Sequence, residues 1–265
     1  MTFRRIRIFV LLGILAAAVG LTWLEQTRVR AWDGPLDVAV TPINGDGSAR
    51  AAEAIRALDA HDFDDIGTFL ERETARYGVK QSPAVQLTLL PELHELPPAP
   101  PPDHNALKTV WWSLKLRWWV YRQSGTWLPQ LGRIKLFVLY HTPQDGVPLS
   151  HSLGLQKGLI GVVHAFADPR QRQQNNIVIA HELLHTLGAT DKYDAGGRPI
   201  YPQGYAEPAL PPQMPRHAAE IMAGRLVDAR GRLVMPPSLD QCVIGAMTVH
   251  EINLDEGFRR RFASP

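Results

Sequence analysis

Apolar positions recur along this chain in two rhythms. Leu36 to Ile43, Val85 to Leu90, Ile134 to Tyr140 and Leu159 to Phe166 are short runs rich in β-branched and aromatic residues, and each is expected to form a strand. Between them the spacing turns helical. The turn Asn44-Gly45-Asp46-Gly47 leads to Ser48, which can cap a helix running to about Leu58. Asp64 to Tyr77 carries Ile66, Phe69, Leu70 and Tyr77 on one stripe and stops at Gly78. Strands alternating with helices predict an α/β domain. Leu96 to Pro102 is a proline-rich connector, Gly196 to Pro215 a long loop of little periodicity, and Ser238 to Ile252 a closing helix capped by Ser238, with His250 structural. No internal repeat is evident.

Trp111, Trp112, Trp118 and Trp119 fall in a further helical stretch with Lys108, Lys115, Arg117 and Arg122. Pairs seven apart return to nearly the same face, so the tryptophans form a broad aromatic stripe with cations beside it. A core helix backing the sheet is expected; the alternative is an interfacial helix resting on a bilayer.

At the N-terminus, Arg4, Arg5 and Arg7 precede an apolar run from Ile8 to Leu24. That order reads as a signal anchor, with residues 1–30 a basic stub plus transmembrane helix and residues 31–265 a folded domain facing the periplasm or cell exterior. Ala16-Ala17-Ala18 could serve a signal peptidase, but the apolar run continues past it. The same segment holds five of the 28 Lys+Arg and one of the 26 Asp+Glu, leaving 23 against 25 in the remainder. A near-neutral domain gives no reason to expect nucleic acid as a partner. Cys242 is the one cysteine, so no intramolecular disulfide can form; in the apolar run Cys242-Val243-Ile244 it reads as a small buried residue.

The chemistry is concentrated in His181-Glu182-Leu183-Leu184-His185-Thr186-Leu187-Gly188-Ala189-Thr190-Asp191. Residues four apart on a helix lie one turn above each other, so His181 and His185 can hold one metal through their imidazoles. Glu182 sits beside that metal without binding it and can take a proton from a water the metal has acidified. Gly188 can end the helix in a left-handed turn that swings Asp191 back as third ligand, leaving a fourth position open. His164, in the strand before this helix, reads as a packed residue.

This pattern resembles the metzincin clan of zinc endopeptidases, in the subset whose third ligand is aspartate, as in snapalysin. Asp191-Lys192-Tyr193-Asp194 is also similar to the Asp-x-Tyr-Asp stretch of immune-inhibitor-A-type metalloproteases, and Glu220-Ile221-Met222-Ala223-Gly224 to the methionine-containing turn beneath the metzincin zinc. The specific match spans about Ile177 to Gly224. The resemblance implies a two-lobed α/β fold with a mixed twisted sheet, an active-site helix and a Met-turn at Met222. It further implies Zn2+ as cofactor and a peptide or protein substrate. The strand Leu159 to Phe166 would then be either a rail on which an extended substrate adds to a free edge or simply a core strand. Tyr193 can donate to an oxyanion and Asp194 can orient a ligating histidine, or either can be structural.

The expected activity is therefore zinc-dependent peptide hydrolysis, with Glu182 as catalytic base and His181, His185 and Asp191 as ligands. Two other readings remain: a zinc hydrolase acting on a non-peptide amide, and a zinc-containing binding protein without catalysis. Glu182 argues against the last, since a silent site has no need of that carboxylate.

Overall fold

Leu36–Asn44 (β1), Val85–Leu89 (β2), Ile134–His141 (β3), Leu153–Leu155 (β4) and Ile160–Phe166 (β5) form one sheet in the order β2-β1-β3-β5-β4. This is a computed structural model, which describes residues 3–79, 82–101, 105–124, 132–144, 152–156 and 159–255. Pro102, the end of the proline-rich connector, lies outside the described residues. The first three pairings are parallel, and β4 runs antiparallel along β5. Parallel strands of this kind are covered on both faces, which is why they read as nearly continuous apolar runs. Val38, Val40, Leu136, Val138 and Val163 enter the main core. Their alternates Ile43, Phe137, Leu139 and Ile160 enter a second cluster on the opposite face.

The helices are Phe3–Val29 (α1), Ala49–Arg56 (α2), Asp64–Arg76 (α3), Ala106–Ser124 (α4), Arg172–Leu187 (α5) and Ala246–Glu251 (α6). Ile55 of α2, Ile66, Phe69 and Leu70 of α3, and Leu183 and Leu184 of α5 fill the main core, whereas α4 closes the other face with Trp112, Leu116, Trp119 and Val120. Ser48 caps α2 as expected, its Oγ accepting from the Ala51 amide at 3.0 Å.

Three expectations are corrected. The first is the transmembrane anchor. Although α1 is one long helix, no helix among the described residues is both long and apolar enough to cross a membrane. Ile8 to Leu24 spans 17 residues between Arg7 and Glu25, about 25 Å at the helical rise against a hydrocarbon core of about 30 Å. The helix instead leads straight into the domain: Val29 and Trp32 belong to the main core, and the Trp32 Nε1 donates to the Ile252 carbonyl at 2.9 Å.

The second decides between the two readings of Leu159 to Phe166, against the substrate rail and for the core strand. β5 pairs with β3 on one side and with β4 on the other, so it is an interior strand and the sheet edge is β4. The third is the closing helix. Ser238 caps only a 3-10 turn, Leu239–Gln241; Cys242–Val243 then pairs in parallel with Ala219–Glu220, and Gly245 precedes the short α6. An extended stretch engaged by a neighbouring strand cannot continue a helix. Leu226–Val227 and Leu233–Val234 form a small antiparallel pair nearby.

Candidate metal centre

α5 packs across β5 and β4, and the closeness of that packing explains a glycine. A Cβ added at Gly154 of β4 would lie 2.4 Å from the His185 Cβ and 2.6 Å from the Glu182 carbonyl oxygen, so only glycine lets the edge strand lie on this turn of the helix. α5 ends at Gly188 with φ 110°, in the left-handed region, and the Ala189 amide closes the turn on the Leu184 carbonyl at 3.0 Å. A side chain there would also meet Gln156, at 2.6 Å from its Nε2. Gly188→Ala is therefore expected to destabilise the fold by about 1–2 kcal/mol through the left-handed conformation alone. It should also loosen metal binding, because the same turn aims Asp191. Thermal melts with and without zinc check both effects.

The turn brings three donor atoms together. The Nε2 atoms of His181 and His185 stand 3.0 Å apart, and the Asp191 Oδ1 lies 3.2 Å from each. The outer nitrogens settle the tautomers: His181 Nδ1 faces the Ile221 carbonyl at 3.0 Å and His185 Nδ1 the Ala189 carbonyl at 2.7 Å. A carbonyl only accepts, so each Nδ1 carries a proton and each Nε2 is the atom turned inward. Two Nε2 atoms and a carboxylate oxygen then converge on one point, an arrangement that requires a proton or a cation between them. Ligands about 2.0–2.1 Å from a tetrahedral zinc stand about 3.3 Å apart, close to the observed triangle, and a nitrogen, nitrogen, oxygen donor set suits zinc far better than calcium or magnesium. The residues fit the ion.

Ligand atoms of His181, Glu182 and His185 also lie within 4.8 Å of one another. Asp191 Oδ1, at 3.2 Å from both Nε2 atoms, is placed as well as Glu182 to be a third donor. Glu182 is buried, and its Oε2 has no protein partner. Burial lifts its carboxyl above the ordinary range, with His181 and His185 pulling it back. Such a group is a base nearer neutrality than a surface glutamate. Burial would also raise Asp191, but hydrogen bonds from His181 and His185 outweigh it and hold the carboxyl well below the ordinary range. Burial opposes a proton on His185, yet Asp191 and Glu182 overcome this and raise its pKa.

Tyr193 and Asp194 separate. The Tyr193 ring lies 6.5 Å from that of His181, and its hydroxyl hydrogen-bonds Asp191. Burial and the Asp191 charge push its pKa up to about 12, so it stays a donor across the physiological range. Asp194 turns away: its Oδ1 accepts from the Gly196 and Arg198 amides at 2.8 and 3.0 Å, which shapes its own loop.

Met222 lies fully buried in the main core. The turn around it acts through its backbone, since the Ile221 carbonyl holds His181 and the Met222 carbonyl accepts from the Lys192 amide at 3.0 Å. Beneath it the buried Glu220 accepts from the Ala223 and Gly245 amides and, at 2.6 Å, from the Thr248 hydroxyl. A second group steadies the Asp191 loop: Glu251 of α6 accepts from the Thr190 amide, the Thr190 hydroxyl and the Lys192 Nζ at 2.6 to 2.9 Å. Glu251 lies outside the motif, and Glu220 entered the Met-turn match without a role of its own.

His164 is also more than a packed strand residue. It lines the cleft beside His181 and Glu182, together with Phe166, Val178 and Met235, and its Nδ1 lies 2.8 Å from the His141 Nε2. Its parity with Val162 and Phe166 on β5 was the available signal. No protein-family model matches the chain, and no curated protein matches it.

Proposed function

We propose that the protein is a zinc-dependent hydrolase of peptide bonds, with His181, His185 and Asp191 holding the ion and Glu182 as general base. The observation that carries this reading is the buried Glu182 carboxylate, one oxygen unpartnered, beside a 3.0–3.2 Å triangle of metal-type donors. Bound zinc would supply Lewis acidity, polarising a carbonyl and lowering the pKa of water. Glu182 accepts the proton of the attacking water and hands it to the departing nitrogen. Tyr193, a protonated hydroxyl at the site, donates to the oxygen that gains charge. The Ile221 and Ala189 carbonyls keep the two imidazoles oriented while this happens.

The resemblance to aspartate-type metzincins supports the same chemistry, and two features favour a peptide over a small amide. The cleft is walled by apolar Phe166, Ile177, Val178 and Met235. Beside it β4 is the edge of the sheet, able to pair with an extended chain. Two histidines and a carboxylate also form the donor set of mononuclear Fe(II) enzymes; the neighbouring Glu182 base is what favours hydrolysis here.

Zinc titration of the metal-stripped full chain tests the site itself. One zinc per chain should bind and raise the melting temperature, and His181→Ala should abolish both effects. Binding unaffected by His181→Ala would place the ion elsewhere.

A further inference from the structure

The fold uses half of the tryptophan-rich helix. Trp112, Leu116, Trp119 and Val120 of α4 are buried against the sheet. Leu107, Val110, Trp111, Leu114 and Trp118 face outward, between 53 and 81% exposed. At 3.6 residues per turn these five fall in one sector of about 100°, a continuous apolar strip rather than scattered surface residues. Lys108, Lys115 and Arg122, spaced by seven, run along one margin of that strip, between it and the buried face. The Lys115 Nζ stands 5.7 Å from the Trp111 ring centre. Arg122 reaches Glu95 at 3.2 Å, a pair about half exposed on both sides. No acidic residue occurs anywhere in α4.

This charge pattern selects among occupants. A second copy of the chain laid face to face would bring two cationic rows together with no acid on either helix to offset them. An anionic lipid surface suits each feature: acyl chains for the strip, phosphates for the cationic row, and an interfacial zone for the tryptophan rings, which are apolar with one polar edge. We propose that the outer face of α4 docks on an anionic bilayer, with the helix lying in the interface and Trp111 and Trp118 at the level of the headgroups. Docking of this kind crosses nothing and is independent of the zinc chemistry. It would restrict the enzyme to substrates presented near a membrane.

The lone native cysteine, Cys242, is fully buried, so a single introduced cysteine can carry an environment-sensitive fluorophore. Trp118→Cys and Leu107→Cys, each in the full chain, report on the strip, and Arg230→Cys on an exposed turn serves as control. With vesicles containing phosphatidylglycerol, both strip labels should shift to the blue and brighten several-fold, while the control stays unchanged. Pure phosphatidylcholine vesicles should produce little change, and K108E/K115E/R122E in the labelled chain should abolish the response. Silence at both strip positions overturns the proposal, as does an equal response at Arg230→Cys or with neutral vesicles. A blue shift without lipid that grows with protein concentration would overturn it by assigning the face to self-association.

Discussion

Glu182→Ala is expected to yield a protein that binds zinc like the parent and hydrolyses peptide about 10²–10⁴-fold more slowly, the range typical of losing a general acid–base group. The separation follows from position. His181, His185 and Asp191 form the donor triangle, while the Glu182 Oε2 has no hydrogen-bond partner and can take up a proton. Removing a buried carboxylate whose pKa burial has already raised should cost the fold little, so the melting temperature should stay near that of the parent. Zinc content and turnover measured on the same preparation check the split. Loss of zinc together with activity would make Glu182 a ligand, and unchanged turnover would remove it from the mechanism.

Asp191→Ala should weaken zinc retention by well over the 10- to 100-fold typical of losing a group that merely orients a ligand, whereas Asp194→Ala should leave it almost unchanged. Asp191 contacts both imidazole nitrogens at 3.2 Å; Asp194 spends its Oδ1 on the Gly196 and Arg198 amides. Competition of each variant with a chromophoric chelator gives the comparison. A larger loss in Asp194→Ala would show the third donor to be misassigned.

What could be read in the sequence was what local rules govern. Strands β1, β2, β3 and β5 lie where alternation and β-branched runs put them, α2 begins at its serine cap, and Gly188 ends α5 in the left-handed turn that its place after the last apolar position implies. The HExxH spacing needed only the helical period. The parts that were missed depend on distant pairing. β4 is three residues long and carries a glycine required by the approach of α5, so no periodicity marks it, yet it takes the edge that one of the two readings gave to β5. Ser238 to Ile252 had a cap, but Cys242–Val243 pairs with Ala219–Glu220, and long-range pairing overrode local preference. The tryptophan helix meets the core reading at Trp112 and Trp119, and its stripe is broad enough to leave Trp111 and Trp118 exposed on the other side. Glu220 and Glu251 reach the site through turns closed by residues far along the chain, a relation that spacing cannot disclose.

The most direct test of the central claim is to incubate the full chain, metal-stripped and then reloaded with one equivalent of zinc, with a diverse peptide library and to sequence the products. The stripped protein and zinc-loaded Glu182→Ala are the two controls. The account predicts new peptide termini from the reloaded parent and from neither control. Zinc bound at His181, His185 and Asp191 without any cleavage, or cleavage that persists in Glu182→Ala, would contradict it.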